Sequence, residues 1–298
     1  MRVFLTGATC FIGSFLVPEL IDAGHHVVGL SRSEAGAEAL IRAGAEVLRG
    51  DANDLDRLRT AAEAADGVIH AAFNHDFSNL KQNSEDDRKI IEMLGEALAG
   101  SDRPLVVTSG TGLARSKNGG PAVETDDHVT SAEFPRAASE EAADALIAKG
   151  GRVMVMRLPQ VHDTSKQGRI TLHIQMARQQ GRVAYVGEGK NRLPAVHVSD
   201  AVRLYRLALE NGQAGARYHA VGEEGVALRD VAEVIGAGLK IPVESITPEE
   251  APEYFGWMAH LATIDLAASS VLTRQQLGWN PVGPDLLTDL RNMDYGAV

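Results

Sequence analysis

The chain has 298 residues, 44% hydrophobic and 23% charged, enough apolar material for a buried core in one large or two modest α/β units. A net charge of −11 argues against nucleic acid or an anionic membrane as the main partner. The single cysteine, Cys10, rules out an internal disulfide and a cysteine-based zinc site, so no metal is expected and a reducing compartment fits.

Residues 2–5 predict a first strand and are too short for a secretion signal. No apolar stretch approaches the ~20 residues of a membrane span, so a cytoplasmic protein is expected. The strand runs into "TGATCFIG" and then a predicted helix over residues 14–23, ended by Gly24. Strand, glycine turn and helix N-terminus make an anion site, because free amides and the positive end of the helix dipole face the phosphate. Gly7 would make the sharp turn, and Gly13 would let the helix approach the sheet. Cys10 stands where such turns keep their middle glycine. Pro18 predicts a local kink in the helix.

Residues 26–30 predict the second strand, ending in "GLSRSE". NAD sites commonly place an acid there for the ribose hydroxyl, whereas NADP sites use basic and hydroxyl groups. Ser31 and Arg32 supply the latter, Arg32 with a planar fork suited to phosphate, and Glu34 comes too late. NADP(H) is therefore expected ahead of NAD(H), with a solvated surface arginine as the bland alternative. Further strands are predicted at 45–48, 67–70, 105–108 and 152–157, and helices at 54–65, 84–99 and 137–149. Runs such as "PLVVTS" suit strands buried on both faces, so the alternation predicts a doubly wound parallel sheet with right-handed crossovers.

Beyond Pro159 the pattern changes, and helices are predicted at 171–180, 199–210, 228–239, 248–259 and 268–277. The expected organisation is a nucleotide-binding domain over 1–160 and a smaller mixed cap over 161–298, interleaved at about 193–220.

"TGATCFIG", "GLSRS", "GDANDLDRL", "VIHAA", "VVTSG", "RLPQVH", "AVHVSDAVRLY" and "LGWNP" follow one another in an order that resembles the extended or atypical short-chain dehydrogenase/reductases, the epimerase/dehydratase-like branch. The resemblance spans nearly the whole chain. It implies a seven-stranded Rossmann sheet binding NAD(P) under a small substrate domain. The turn would use Thr9, Phe11 and Ile12 besides Gly7, Cys10 and Gly13. Asp51 and Ala52 would contact the adenine, and Ala71, Ala72 and Phe73 would line the pyrophosphate and ribose. Thr108 and Ser109 would lie under the nicotinamide, with Pro159 to Val161 flanking its carboxamide. Asp51 as a helix cap, and Ala71 and Ala72 as packing residues, are the alternatives. The resemblance also implies a homodimer through residues 86–99 and 137–149, while the cap would admit a small-molecule substrate.

One family feature is missing. Relatives carry Tyr-x-x-x-Lys after the fifth strand, where lysine lowers the tyrosine pKa for proton transfer. "FPRAASEEAADAL" places Arg136 and Glu140 at those positions, and the first tyrosine of the chain is Tyr185. The usual hydroxyl position falls on Gly110, between Ser109 and Thr111, either of which could polarise a substrate oxygen. Arg136 and Glu140 read either as a pair facing the nicotinamide, with Arg136 stabilising negative charge, or as an ordinary surface pair. His162 is a candidate replacement proton donor, with His75, Tyr185 and His197 behind it; His197 also reads as a packing residue before a helix capped by Ser199. His25 and His26 are expected to face solvent, and Tyr254, Phe255 and Trp257 to form an aromatic lid or core.

Two functions follow. One is an NADP-dependent oxidoreductase acting on a small carbonyl-type substrate through a non-standard proton donor. The other is a non-catalytic NADP(H)-binding redox sensor or interaction protein. Sugar-nucleotide epimerisation or dehydration is disfavoured by the missing dyad and by the Ser31–Arg32 tip.

Overall fold

A computed structural model describes residues 1–116 and 119–297. The first half alternates β1 (Arg2–Thr6), α1 (Phe11–Asp22), β2 (His26–Ser31), α2 (Glu34–Arg42), β3 (Glu46–Arg49), α3 (Leu55–Glu63), β4 (Gly67–His70), α4 (Leu80–Ala97), β5 (Leu105–Gly110), α5 (Ala138–Ala148) and β6 (Val153–Leu158). Each of the six strands expected from this half is present within a residue or two. The second half runs β7 (Gln160–His162), α6 (Arg169–Gln180), β8 (Val183–Val186), β9 (Arg192–His197), α7 (Val198–Asn211), β10 (Arg217–His219), β11 (Glu223–Ala227) and α8 (Leu228–Leu239). It ends with β12 (Val243–Ile246), α9 (Ala251–Phe255), α10 (Ala259–Thr263), α11 (Val271–Leu277) and α12 (Leu286–Asn292).

Seven strands form one parallel sheet in the order β10-β6-β5-β4-β1-β2-β3. The order reverses between β1 and β4, which opens a crevice at their carboxyl ends, where such sheets bind ligands. Helices cover both faces: α1 and α7 pack together over Leu5, Ile69 and Val106, while α3, α4 and α5 cover Phe4, Val68 and Val107. Burying each such side chain contributes ~1.5–3 kcal/mol.

β10 is a segment of the second half that returns to the sheet edge beside β6. The rest of that half builds a second body from the three-stranded sheet β11-β9-β7 and the parallel pair β12-β8, around Ile174, Val231, Ile235 and Leu290. The "VSDAV" and "LGWNP" motifs meet here: Trp279 Nε1 donates to the Asp200 carbonyl at 3.0 Å, and the Asp200 carboxylate accepts from the Val282 and Gly283 amides. That joint anchors the C-terminal segment to α7.

Helix α1 is continuous through Pro18, which is exposed. The expected helix at 248–259 is divided, because Gly256 takes φ +53° and ends α9.

Candidate functional site

The phosphate turn is built by backbone constraint. Gly7 adopts φ +72°, and a Cβ on it would lie 2.7 Å from the Ala72 amide nitrogen and 2.8 Å from the Ala71 carbonyl. A Cβ on Gly13 would lie 2.0 Å from the Gly7 carbonyl oxygen. Neither position tolerates a side chain with the turn in place. Cys10 is different: at φ −78° and ψ 173° it occupies extended backbone open to any residue. Its amide donates to the Gly7 carbonyl at 3.0 Å and its own carbonyl accepts from Ser14, so it is the N-cap of α1. The thiol is exposed and caps nothing, which leaves the amides of the first turn to an outside acceptor. Thr9 is exposed beside it, and Phe11 and Ile12 are half-buried.

At the end of β2, Ser31 is buried and its hydroxyl donates to the Ser33 carbonyl at 3.0 Å. Ser33 caps α2 by accepting from the Gly36 amide. The Arg32 side chain is 79% exposed, with the Asp51 carboxylate 3.9 Å away. Asp51 accepts from the backbone and side chain of Asn53 in a tight turn that includes Ala52, while α3 is capped by Asp54. Glu34 is drawn away by Arg49 at 2.6 Å.

Beyond β4, Ala71, Ala72 and Phe73 border the crevice, tied to the turn through a chain of hydrogen bonds. The Ala72 amide donates to Thr6 Oγ1 at 3.3 Å, Thr6 Oγ1 meets His70 Nδ1 at 2.7 Å, and His70 Nε2 donates to Asp87 at 2.9 Å. Asp87 also binds Arg136 at 3.2 Å and accepts from Ser139. Burial opposes charge on Asp87, but His70 and Arg136 outweigh it and hold the carboxyl below its ordinary pKa.

Arg136 caps this network. Its Nη2 donates to the Thr108 carbonyl at 2.9 Å, and its guanidinium lies 4.1 Å from the centre of the Phe73 ring. Thr108 Oγ1 donates to the His70 carbonyl and meets the Tyr205 hydroxyl, each at 2.7 Å.

Arg136 and Glu140 take separate partners, so the pairing assumed in both readings of that spacing is corrected. Glu140 is fully buried and held by Arg157 at 2.8 Å and Arg217 at 3.2 Å. Burial works against its charge, yet the Arg157 contacts keep its pKa below the ordinary value. Ser109 is buried and donates its hydroxyl to Glu140 at 2.6 Å, while Thr111 is buried with its hydroxyl 3.5 Å from the Leu158 carbonyl. The Ser109 proton is thereby engaged by Glu140, while the Thr111 contact is at the outer limit of a hydrogen bond.

The assignment of His162 as proton donor is likewise corrected. Its ring is fully buried between β7 and α12, and Nδ1 donates to Asp289 at 2.7 Å. Nε2 is buried without a hydrogen-bond partner, with the Glu223 carboxylate 4.0 Å away, and burial lowers the pKa. Pro159 is half-buried and Val161 buried at the start of this segment. His197, not Ser199, caps α7, accepting from the Ser199 amide at 3.2 Å. His26 faces solvent, but the His25 side chain is 8% exposed and bound to Glu210.

Two contacts that the sequence did not suggest join the halves. Lys166, in the loop before α6, lies 5.8 Å from the Phe11 ring and so overhangs the phosphate turn. Trp257 is exposed and stacks on Phe77 with ring centres 4.6 Å apart, while Tyr254 and Phe255 are core. The loop after β4 thus carries an aromatic run, Phe73, His75 and Phe77, from Arg136 to the cap. A separate depression of about 510 Å³ beside Arg2, Glu46 and Arg57 lies where β1 and β3 begin, at the wrong end of the strands for this site.

An uninterrupted strand–turn–helix with two sterically obligatory glycines fits a dinucleotide pyrophosphate. Comparison with known proteins agrees: the model of the NAD dependent epimerase/dehydratase family matches residues 3–221, and the chain belongs to that family. An uncharacterised protein of Schizosaccharomyces pombe is 43% identical over 296 residues, 99% of this chain and all of its own length. Another of Saccharomyces cerevisiae is 41% identical over 294 residues, 98% of each chain. Among solved structures, a double mutant of a dTDP-glucose 4,6-dehydratase from Streptomyces venezuelae, with NAD bound, is 20% identical with a TM-score of 0.78. It covers 98% of this chain and 95% of its own, a likeness of fold. The chain thus has an oxidoreductase-type fold of a family that uses a nicotinamide dinucleotide. Among the described residues, no helix is long and apolar enough to cross a membrane.

Proposed function

We propose that the protein is an NADP-dependent oxidoreductase that moves hydride between NADP(H) and a small carbonyl-type substrate, with a proton donor other than tyrosine. The observation that carries this reading is the retained cradle together with the exposed Arg32 at the tip of β2. Gly7, Gly13 and the first turn of α1 would hold the pyrophosphate, Arg32 and Ser31 the ribose phosphate, and Thr108 the nicotinamide face. The bound dinucleotide supplies or accepts the hydride.

In this reading Arg136 offers its guanidinium N–H groups to negative charge on the substrate oxygen, and another group supplies the proton. His75, on the loop after β4, packs edge-on to the Phe73 ring that Arg136 covers, and its pKa is lowered by desolvation and by the Arg136 charge. A neutral imidazole there accepts a proton when an alcohol is oxidised and relays one from solvent in the reverse direction. NADPH consumption over a panel of aldehydes, ketones and imines tests the reading. His75→Gln should lower kcat by roughly 10²-fold without altering NADPH binding. Silence across the panel would sink the assignment.

The second reading, a non-catalytic NADP(H)-dependent redox sensor, is favoured by Glu140, whose two arginines fill the place of the family's lysine with a closed ion cluster. It requires tight NADPH binding without turnover and partner binding that changes between NADPH and NADP⁺. Association through α4 and α5 as a homodimer belongs to either reading, and sedimentation at monomer mass would exclude it.

A further inference from the structure

Arg136 is held at two points, and both lead back to His70. Its Nη1 reaches Asp87 at 3.2 Å, and its Nη2 donates to the Thr108 carbonyl at 2.9 Å. Asp87 receives the His70 ring at 2.9 Å, while the Thr108 hydroxyl donates to the His70 carbonyl at 2.7 Å. The other side of the same ring meets Thr6 Oγ1 at 2.7 Å, and Thr6 Oγ1 accepts from the Ala72 amide at 3.3 Å. His70 therefore stands between the phosphate turn and Arg136.

This chain of bonds has a direction. Burial opposes charge on Asp87, but His70 and Arg136 keep it ionised, so it only accepts and His70 Nε2 carries the proton. A neutral ring then has Nδ1 as its acceptor, which takes the Thr6 proton and leaves Thr6 Oγ1 to accept from Ala72. Thr108 has likewise given its proton to the His70 carbonyl, so the Tyr205 hydroxyl donates to Thr108 at 2.7 Å. Thr6, His70 and Tyr205 are all fully buried, so solvent does not compete for these bonds.

The far end is tied just as closely to the turn. A Cβ on Gly7 would lie 2.7 Å from the Ala72 nitrogen, so the Ala71–Ala72 peptide and the Gly7 turn cannot shift independently. Whatever settles the turn settles Thr6 and His70 with it, and through Asp87 the guanidinium beside Phe73.

We infer that His70 is a positioning residue that couples the dinucleotide turn to Arg136, holding one with each side of its ring. The inference rests on the oxidoreductase reading for the part Arg136 plays in turnover; the link to dinucleotide binding stands without it.

Two substitutions cut the ring at opposite ends. In His70→Gln the side-chain amide reaches the place of Nε2 and keeps Asp87, but Thr6 is lost. In His70→Asn the amide stays near the place of Nδ1 and keeps Thr6, but Asp87 is lost. Affinity is read by fluorescence for whichever of NADPH and NADH binds more tightly, and kcat at saturating dinucleotide with the best carbonyl of the panel. His70→Gln should weaken the dinucleotide about tenfold and hold kcat within about twofold, and His70→Asn should do the reverse. Equal proportional losses of affinity and kcat in both variants would show a general packing role and overturn the inference.

A second measurement leaves His70 in place and needs no turnover. Thr6→Val and Asp87→Asn act on groups linked through the His70 ring. Their effects on dinucleotide affinity should depart from additivity by about threefold or more. Additive losses would overturn the coupling, whether or not the His70 variants fold. Non-additive losses with silence across the carbonyl panel would sink the oxidoreductase reading and leave the coupling intact; turnover with additive losses would do the opposite.

Discussion

The phosphate turn and the wall opposite it lie at the carboxyl ends of neighbouring strands of one sheet, yet they have diverged in opposite ways. In the turn, Cys10 replaces a glycine and the backbone is undisturbed, because that position carries no positive φ and no close contact. In the wall, Gly110, Arg136 and Glu140 stand where the family resemblance leads one to expect a hydroxyl, a tyrosine and a lysine, and their neighbours match the residues present. Arg157 and Arg217 close on Glu140, while Asp87 and Thr108 hold Arg136. A backbone site tolerates a change wherever its dihedrals allow it. A site made of side-chain charges has to change as a set.

The sharpest way to break this comparison is to restore the family residue. Glu140→Lys would place a third cation against Arg157 and Arg217 with no access to solvent. The expected cost is ~3–5 kcal/mol, the range for unpairing a buried charge, read as a fall in the denaturation midpoint. A variant as stable as the parent would show that the wall can accept the family's lysine unaided.

In the turn the strongest effect should come from Gly13→Ala. The added carbon meets a backbone carbonyl, which cannot rotate away, so the turn must open. A stability loss of about 1–3 kcal/mol is expected for such overpacking, together with loss of measurable NADPH binding in a fluorescence titration. At the tip of β2, Arg32→Ala should weaken NADPH roughly tenfold, the value of one charge-assisted hydrogen bond, and leave NADH unchanged. Equal losses for both dinucleotides would remove the case for NADP.

The same contrast explains what the sequence disclosed. Strands β1 to β6 were legible because buried parallel strands read as continuous apolar runs punctuated by glycine. The three-residue β10 is too short to carry such a signal. Helix α12 did carry one, Asp285 as cap before Leu286 and Leu290, and it was missed. In the site, the glycine turn was readable because its constraints are local. The ion partners were not, since Arg157 and Glu140 lie 17 positions apart and Arg217 and Glu140 lie 77 apart. One clue was available: Asp87 falls at helical spacing with Ile91 and Leu94, on the buried face of α4. A charge on an apolar stripe needs a partner, and His70 with Arg136 is that partner.

The smallest expected effect belongs to Cys10. Replacing it with glycine, the residue usual at this place in the turn, should change stability by only a few tenths of a kcal/mol, as for glycine at other N-caps, and leave NADPH affinity within about twofold. The position needs no glycine dihedrals, so nothing is relieved. Enlarging the side chain should act differently. The exposed thiol sits at the N-terminus of α1, where a bound pyrophosphate would meet the first-turn amides, so carbamidomethylation should block NADPH, and bound NADPH should slow the labelling. Equal labelling rates with and without NADPH would place the dinucleotide elsewhere and remove the turn from the site. Slow labelling under NADPH with normal affinity in Cys10→Gly would instead show that the turn is specified by Gly7 and Gly13, with the residue between them free to vary as long as it stays small.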